Sequence, residues 1–568
     1  MMSNLPLARF RPKLLDCLKD YTPELLAKDM AAGVTVGVLA LPLAIAFSIA
    51  SGCSPTAGIW TAIIAGLLIS LLGGSRVQIG GPTGAFIPIV FGIVSLYGFQ
   101  NLMIATIIAG VLLFLMGLTK MGVLIRFIPI SVVIGFTNGI AVVIFMSQIK
   151  DFFGLDIPSM PAEFFARMET LWHYAGTMDA PTVIMSTVSL ATLILWNKLA
   201  GRWVPALGKI PGPLALLIAA TALQAAFQFP VETIGSRFGG IPRDIPALAW
   251  PTLSLSTLNQ LIQPAIAIAL LGAIESLLSA RVADAAIDDR HDPNQELMAQ
   301  GIANIVAPLF GGFAATGAIA RTSTNVRAGG RTPIAGICHA LTLLVVVLVA
   351  APAAIYVPLP ALSAILMLVS WNMGEWHAFK ELGRYTIPYR AILLSTFVVT
   401  VVFDLTLAVE LGMILACLFY LYRMSELTQV ERIPLEDYYG SGALSDTGGQ
   451  RITAYRLFGS LFFAAISKLE ILLEAQDAPP RVLILDMTKT VSLDTTGLDL
   501  LQTLHRSLEK RGAQLILCGL NAQPASLVER AGFGQALGAH GICSSLTDAL
   551  LRAQLIIQSD AVVANQPA

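Results

Sequence analysis

The sequence predicts a polytopic α-helical membrane protein: fourteen segments in a 7+7 inverted repeat, half-helices in segments 3 and 10, then a cytoplasmic α/β domain. Three observations predict it. Of 568 residues, 55% are hydrophobic and only 12% charged, and mean hydropathy is +0.74, whereas soluble chains carry about 25% charged residues. Apolar runs fill the chain to about Tyr422, and ordinary soluble composition follows from Arg423. Two Gly-rich polar stretches, 73–86 and 311–330, interrupt the apolar part at matching places.

Residues 1–28 form a polar, basic leader with Arg9, Arg11, Lys13, Lys19 and Lys28, and no cleavable signal peptide is apparent. Segments follow near 31–50, 56–72, 82–97, 101–119, 123–146, 181–197 and 212–229 in the first half. The second half places them near 263–280, 296–311, 316–328, 333–351, 358–370, 389–404 and 406–422. This assigns 29–424 to the membrane domain, with an odd number of spans per half, so the repeats are inverted.

Loop charge sets the orientation. With the N-terminus inside, cytoplasmic loops hold Lys120 with Arg126, Lys198 with Arg202 and Lys209, Arg327 with Arg331, and Lys380 with Arg384 and Arg390. The long outer loop 150–180 is acidic, with Asp151, Asp156, Glu163, Glu169 and Asp179. Both termini then face the cytoplasm.

The stretch 311–330 reads GGFAATGAIARTSTNVRAGG. About a dozen of its residues form a helix, against roughly 20 needed to cross a bilayer. A helix that starts mid-membrane leaves its first N–H groups free, an anion site reinforced by the helix dipole and by Arg321. The stretch 73–86 reads GGSRVQIGGPTGAF, with Pro82 at the first helical position and Thr83, Gly84, Ala85 and Phe86 as the exposed first turn. Paired broken helices mark an alternating-access site; the plain alternative is two re-entrant packing bends.

Ionisable residues within spans need a reason. Glu275, in segment 8, reads either as an acid solvated at a helix end near Arg281 or as a carboxyl that takes up a coupling proton beside the half-helices. Ser276 and Ser279 help to solvate it or complete a sodium site, so proton and sodium both remain open. Arg321 is either a partner for an acid such as Glu275 or the positive field of the pocket. Asp404 and Glu410 mark an outer turn, and Arg76 and Arg327 read as cytoplasmic. His339 and His377 are packed or interfacial. Six scattered cysteines, Cys17, Cys53, Cys338, Cys417, Cys518 and Cys543, show no metal spacing. No metal, cofactor, nucleic-acid partner or catalytic arrangement is expected, and the net charge of −1 selects no macromolecular partner.

After a linker, 425–449, the α/β domain occupies 450–558, and 559–568 is a disordered tail. Residues 452–465 read as two short strands, 481–487 and 513–520 as strands, and 467–476, 495–512, 523–532 and 546–557 as helices on one face of the sheet. Thr495 or Asp494 caps the second of these helices.

The stretches 29–52, 74–86, 271–284, 296–336 and 483–501 together resemble the sulfate permease (SulP) anion transporters, which join an inverted-repeat transport domain to a C-terminal STAS domain. The context of Glu275 looks most like the bacterial dicarboxylate-transporting branch. The resemblance implies substrate contacts from Thr83, Gly84, Ala85 and Phe86 and from Gly317, Ala318, Ile319, Ala320 and Arg321, with Glu275 as coupling acid. It implies a homodimer in membrane lipid, and an elevator-like motion of a core against a gate made of segments 5–7 and 12–14. Thr496, in the loop 494–497, is the candidate phosphosite, and the STAS domain the candidate contact for a cytoplasmic protein. Pro42-Leu43 departs from the Pro-Gln of many relatives, and Ala320 from the Ser of some. The implied function is proton-coupled symport of sulfate or a related small anion, a C4-dicarboxylate or bicarbonate. Sodium-coupled bicarbonate transport and an uncoupled channel or exchanger are the alternatives.

Overall fold

The computed structural model describes residues 8–19, 21–123, 129–161, 163–203, 211–241, 244, 246–251, 255–403, 405–435, 452–465, 480–538 and 540–564. It comprises two compact units, Met1–Met413 and Ile414–Ala568.

All fourteen predicted segments are helical. The first seven are α1 (Pro23–Ala50), α2 (Pro55–Leu72), α3 (Ile87–Tyr97), α4 (Phe99–Leu118), α5 (Ile130–Ser147), α6 (Ala180–Trp203) and α7 (Gly212–Phe227). The second seven are α8 (Leu255–Ile287), α9 (Pro293–Leu309), α10 (Ile319–Arg327), α11 (Ile334–Ala350), α12 (Leu359–Met373), α13 (Ile387–Val402) and α14 (Leu405–Leu427). Caps set several starts: Thr22 Oγ1 accepts from Leu25 N and Ser54 Oγ from Ala57 N, each followed by a proline in the first turn.

Packing reveals the repeat. Helix α9 lies on α4 and α11 on α2; α11 lies on α1 and α8 on α4; α13 lies on α5 and α12 on α6. Shifting every label by seven converts each pair into its mate, as two inverted halves require. The main contacts also sort the helices into two groups, α1–α4 with α8–α11 and α5–α7 with α12 and α13. Small residues permit the closest crossings. A Cβ on Gly110 of α4 would lie 2.7 Å from the Gly301 carbonyl of α9, and one on Gly301 would lie 2.7 Å from the Gly110 carbonyl.

Several boundaries differ from the sequence reading. Helix α1 begins at Pro23, so residues 23–28 belong to it and not to the leader. The rest of the described leader is docked: Lys13–Cys17 is helical, Lys13 N donates to Gly73 O, and Arg11 N donates to Gln295 Oε1. Helix α8 has 33 residues, about 50 Å at 1.5 Å each, so Glu275 is well inside it and Arg281 is itself helical. Glu410 is in the second turn of α14 rather than in an outer turn, because that helix starts at Leu405; Asp404 lies outside the described residues.

The second unit contains a five-stranded sheet: β3 (Gln429–Arg432), β4 (Ile452–Leu461), β5 (Val482–Leu493), β6 (Gln514–Cys518) and β7 (Ile542–Cys543), in that order. Strand β3 runs antiparallel to β4 and the others are parallel. The sheet therefore begins within the expected linker. Residues 452–461 form one strand, because the irregularities near Arg456 and Gly459 shift its register without ending it.

Helices α15 (Thr495–Lys510) and α16 (Ala522–Arg530) cover one face, where Leu501 and Val528 meet Leu483 and Leu485. Helix α17 (Leu546–Ala564) covers the other, where Ala549 and Ala553 meet Val482 and Ile484. The expected one-sided arrangement is wrong: Val482–Met487 of β5 is buried at every position, which requires cover on both faces. Helix α17 also extends to Ala564, past the expected start of a disordered tail. The predicted helix 467–476 lies outside the described residues.

Two predictions follow from this packing. Gly301→Leu forces α4 from α9, and overpacking of this kind costs about 1–3 kcal/mol; thermal unfolding in detergent should show a lower midpoint, with Ser accepted better than Leu. In the sheet, Asp486 is buried and accepts from Arg456 Nε at 2.7 Å and from Thr488 N and Oγ1 at 3.0 and 2.7 Å. Burial pushes its carboxyl up, but the Thr488 and Arg456 hydrogen bonds outweigh this and hold it below the usual aspartate range. Its stabilisation is thus full above the unfolded aspartate value and lost as pH falls through the lower, folded one. Asp486→Asn should lower the melting temperature of the second unit at pH 7, and the gap to wild type should close towards pH 3.

Candidate functional site

Both broken segments enter the centre of the first unit as extended chain. Gly80–Gly81 (β1) pairs antiparallel with Thr316–Gly317 (β2), Gly80 opposite Gly317 and Gly81 opposite Thr316. Two equivalent strands related by a two-fold axis must pair antiparallel, so this ladder coincides with the repeat axis. Ala318 N extends it by donating to Ile79 O at 2.8 Å. Glycine is required for the approach: a Cβ on Gly81 (φ +146°) would lie 2.3 Å from Arg321 Nη1, and one on Gly317 would lie 1.5 Å from Gln78 Nε2.

Beyond the pair, each chain turns into a half-helix. In the first, Pro82 stays outside the helix and Thr83 is extended; a 3-10 turn, Gly84–Phe86, leads into α3, whose early proline is Pro88. The expected helix start at Pro82 is corrected accordingly. In the second, Ala318 is the N-cap and α10 has nine residues. The first helical amides after each break, Gly84 and Ala85 on one side and Ile319, Ala320 and Arg321 on the other, precede any i−4 carbonyl. Gly317 and Ala318 are instead engaged in the strand pairing.

Arg321 is buried, 3% exposed, and its guanidinium turns back across the break to donate to Gly80 O and Pro82 O. No ion pair joins it to Glu275 among the described residues. Glu275 points at the other half-helix: its Oε2 accepts from Thr83 Oγ1 at 2.8 Å. A carboxyl, a hydroxyl, a guanidinium and two helix N-termini thus converge around one crossing.

The expected set Glu275, Ser276 and Ser279 does not gather at one point. Ser276 Oγ accepts from Gln78 Nε2 at 3.2 Å and faces Glu296 Oε1 at 3.5 Å. Ser279 Oγ bonds Thr322 Oγ1 at 3.1 Å. Adjacent helical residues point about 100° apart, so a hydroxyl at i+1 does not reach a carboxyl at i.

Several residues that support the crossing escaped the sequence reading. Asn304 holds the incoming chain at both ends, Oδ1 accepting from Ala315 N and Nδ2 donating to Ala315 O, each at 2.8 Å. Asp29 Oδ1 accepts from Arg331 N and Thr332 N just after α10. Glu296 Oε2 accepts from Gly74 N and Ser75 N just before β1. One signal was available: Glu296, Gln300 and Asn304 recur every four residues, a polar stripe on one face of α9. His339 is buried in α11, and exposed His377 pairs with Glu381 at 3.5 Å. In the second unit Asp494 caps α15 through Gly497 N at 2.7 Å, leaving Thr495 exposed and Thr496 half-buried.

The Sulfate permease family pattern matches residues 26–394, which include both halves of this crossing. The chain belongs to the sulfate permease family. A STAS domain matches residues 445–549. Among relatives, a putative sulfate transporter of Bacillus subtilis, YvdB, is 41% identical over 92% of this chain and 96% of its own. The bicarbonate transporter BicA of a Picosynechococcus strain is 30% identical over 77% of this chain and 78% of its own. A sodium-independent sulfate anion transporter of Bos taurus is 27% identical over 89% and 86%. Among solved structures, the murine Solute Carrier 26 member A9 anion transporter superposes with a TM-score of 0.84 at 19% identity, covering 96% of this chain and 94% of that one. The transmembrane domain of a cyanobacterial BicA gives 0.61 at 28%, covering 70% and 98%. The protein is thus a multi-pass membrane transporter of a sulfate- and anion-carrying family.

The Gly317 contact is testable in this SulP protein. Gly317→Ala should displace Gln78 and break its hydrogen bonds to Ser276, at about 1–3 kcal/mol for the polar groups left unpaired. Anion affinity should fall, and adding Gln78→Ala should recover part of the loss by removing the clash; a fall that the second substitution leaves unchanged would exclude the contact as its cause.

Proposed function

We propose that this protein is a secondary active symporter that carries sulfate or a related small anion, a C4-dicarboxylate or bicarbonate, together with a proton. The observation that carries this reading is the 2.8 Å hydrogen bond between Thr83 and Glu275, which puts an acid against the first turn of an anion-binding half-helix. An ionised Glu275 repels an anion seated on that turn by about 3 kcal/mol at 5 Å and an effective dielectric constant of 20, about a hundredfold in affinity. A proton on the carboxyl removes the repulsion, so anion and proton enter together. Thr83, Gly84, Ala85 and Phe86, with Ile319, Ala320 and Arg321, supply the anion contacts; Gly317 and Ala318 shape them. Arg321, donating to the carbonyls that end β1, keeps positive charge behind the pocket.

The sulfate names of the Bacillus and bovine relatives support sulfate as the first substrate to test, and the bovine name supports transport without sodium. The BicA name supports bicarbonate as the next. Separation of the helices into two packed groups supports an elevator-like movement of α1–α4 with α8–α11 against the rest. A homodimer in a bacterial inner membrane, both termini cytoplasmic, completes the reading. A cytoplasmic partner or phosphorylation at Thr496 would act through the STAS unit.

Uptake of labelled sulfate, succinate and bicarbonate into proteoliposomes tests the mechanism. Wild type should accumulate one of them under an imposed inward proton gradient and not under a sodium gradient. Glu275→Gln should lose that dependence while still binding the anion. Accumulation driven by sodium alone would favour the bicarbonate alternative, and flux that ignores both gradients would favour an uncoupled exchanger or channel.

A further inference from the structure

A second carboxyl lies in the same helix layer and is not used by the mechanism above. Glu296, in the first turn of α9, is completely buried, and none of the ion pairs among the described residues includes it. Its contacts are all neutral. Oε2 accepts from Gly74 N at 2.9 Å and Ser75 N at 3.2 Å; Oε1 accepts from Gln300 Nε2 at 3.0 Å and faces Ser276 Oγ at 3.5 Å. Ser276 follows Glu275 in α8 and also accepts from Gln78, whose strand leads to the half-helix crossing.

The same cluster holds three buried polar atoms without a hydrogen-bond partner, Ser75 Oγ, Gln78 Oε1 and Gln300 Oε1. Each belongs to a residue bonded to Glu296 or Ser276. Buried polar groups are almost always matched by protein or by ordered water. Three unmatched polar atoms therefore cluster around this one carboxyl. They extend from Gln78, bonded to Ser276, to Ser75, in the turn that Glu296 holds.

The surrounding charges leave Glu296 without a dedicated counterion. Helices α2 and α4, packed on α9, carry no ionisable side chain. Helix α8 contributes Glu275, Arg281 and Asp284; the short leader helix contributes Lys13, Asp16 and Cys17. The adjoining loops contribute Arg76, Asp288, Asp289, Arg290, His291 and Asp292. Lys13 and Arg76 pair with Asp289 at 3.2 and 3.0 Å, and His291 Nδ1 with Asp284 at 2.6 Å.

We propose that Glu296 is a proton-transfer residue in series with Glu275, carrying the coupled proton between the half-helix crossing and the cytoplasmic loop at 288–292, which precedes α9. This rests on the proton-symport reading. The carboxyl of Glu275 gives up its O–H proton to bridging water, one proton arrives on a carboxylate oxygen of Glu296, and Glu296 releases it to solvent at the loop. Only O–H bonds break and form, and no further reactant is required. Ser276 holds the intervening contact as a positioning residue.

The test separates proton transfer from support of the loop. Proteoliposomes are loaded with whichever of labelled sulfate, succinate or bicarbonate wild type accumulates, and two rates are compared for Glu296→Gln. Accumulation driven by a proton gradient should fall at least tenfold, whereas anion counterflow at equal pH, which moves no net proton, should stay within twofold. Glu296→Asp, which keeps a titratable carboxyl, should recover gradient-driven accumulation. An equal fall in both rates would make Glu296 a support for the Gly74–Ser75 turn and overturn the proposal, as would no change in either. Glu275→Gln is measured alongside: if it keeps full gradient-driven accumulation, the coupling reading itself fails, whatever Glu296 shows.

Discussion

The structure depends on one requirement: backbone amides and carbonyls exposed by breaking a helix inside a membrane must find partners within the protein. Two broken helices meet this by pairing their ends with each other. The two-residue ladder of Gly80–Gly81 with Thr316–Gly317 satisfies part of the interruption, and Asn304, Thr322 and Arg321 satisfy more of it with side chains. The first helical amides beyond the ladder stay available. Their availability makes the interruption a binding site, and everything nearby holds them in place.

Buried charge is handled by the same means. Asp29 accepts from the backbone N–H groups of Arg331 and Thr332 and from two hydroxyls, and Arg321 donates to the backbone carbonyls of Gly80 and Pro82. Taking a charge out of water costs several kcal/mol, which well-aimed dipoles offset without a second ion. These two residues also act where the chain enters or leaves the broken segments, so they fix the site firmly. Glu275 differs: among the described residues its one hydrogen bond goes to a side chain, Thr83, at the edge of the pocket. That looser setting suits a group whose charge changes during a cycle.

Much was legible in the sequence because composition and spacing carry it directly. The fourteen segments, the half-helices and the α/β tail follow from apolar run length, from Gly and Pro at breaks, and from strand–helix alternation. Thr83, Glu275 and Arg321 stood out because polar or charged residues at membrane depth are rare. The less legible features depend on where helix ends fall. Pro82 reads as a helix start, yet strand pairing keeps it extended and moves the start past Thr83. Residues 559–564 look like tail, yet α17 continues through them.

The sequence by itself determined which segments exist, which two are broken and which few ionisable groups lie within the membrane, since all of these are properties of neighbours along the chain. Only the tertiary structure decided which of those groups meet. Ser276 is next to Glu275 in the chain but turns to Glu296, 20 residues away; Arg321 bonds Pro82, 239 residues away, rather than an acid. The helical repeat fixes a direction for each side chain, but the partner found there depends on how the two inverted halves pack. That packing is set by small-residue crossings such as Gly110 on Gly301, which no local pattern in one half specifies.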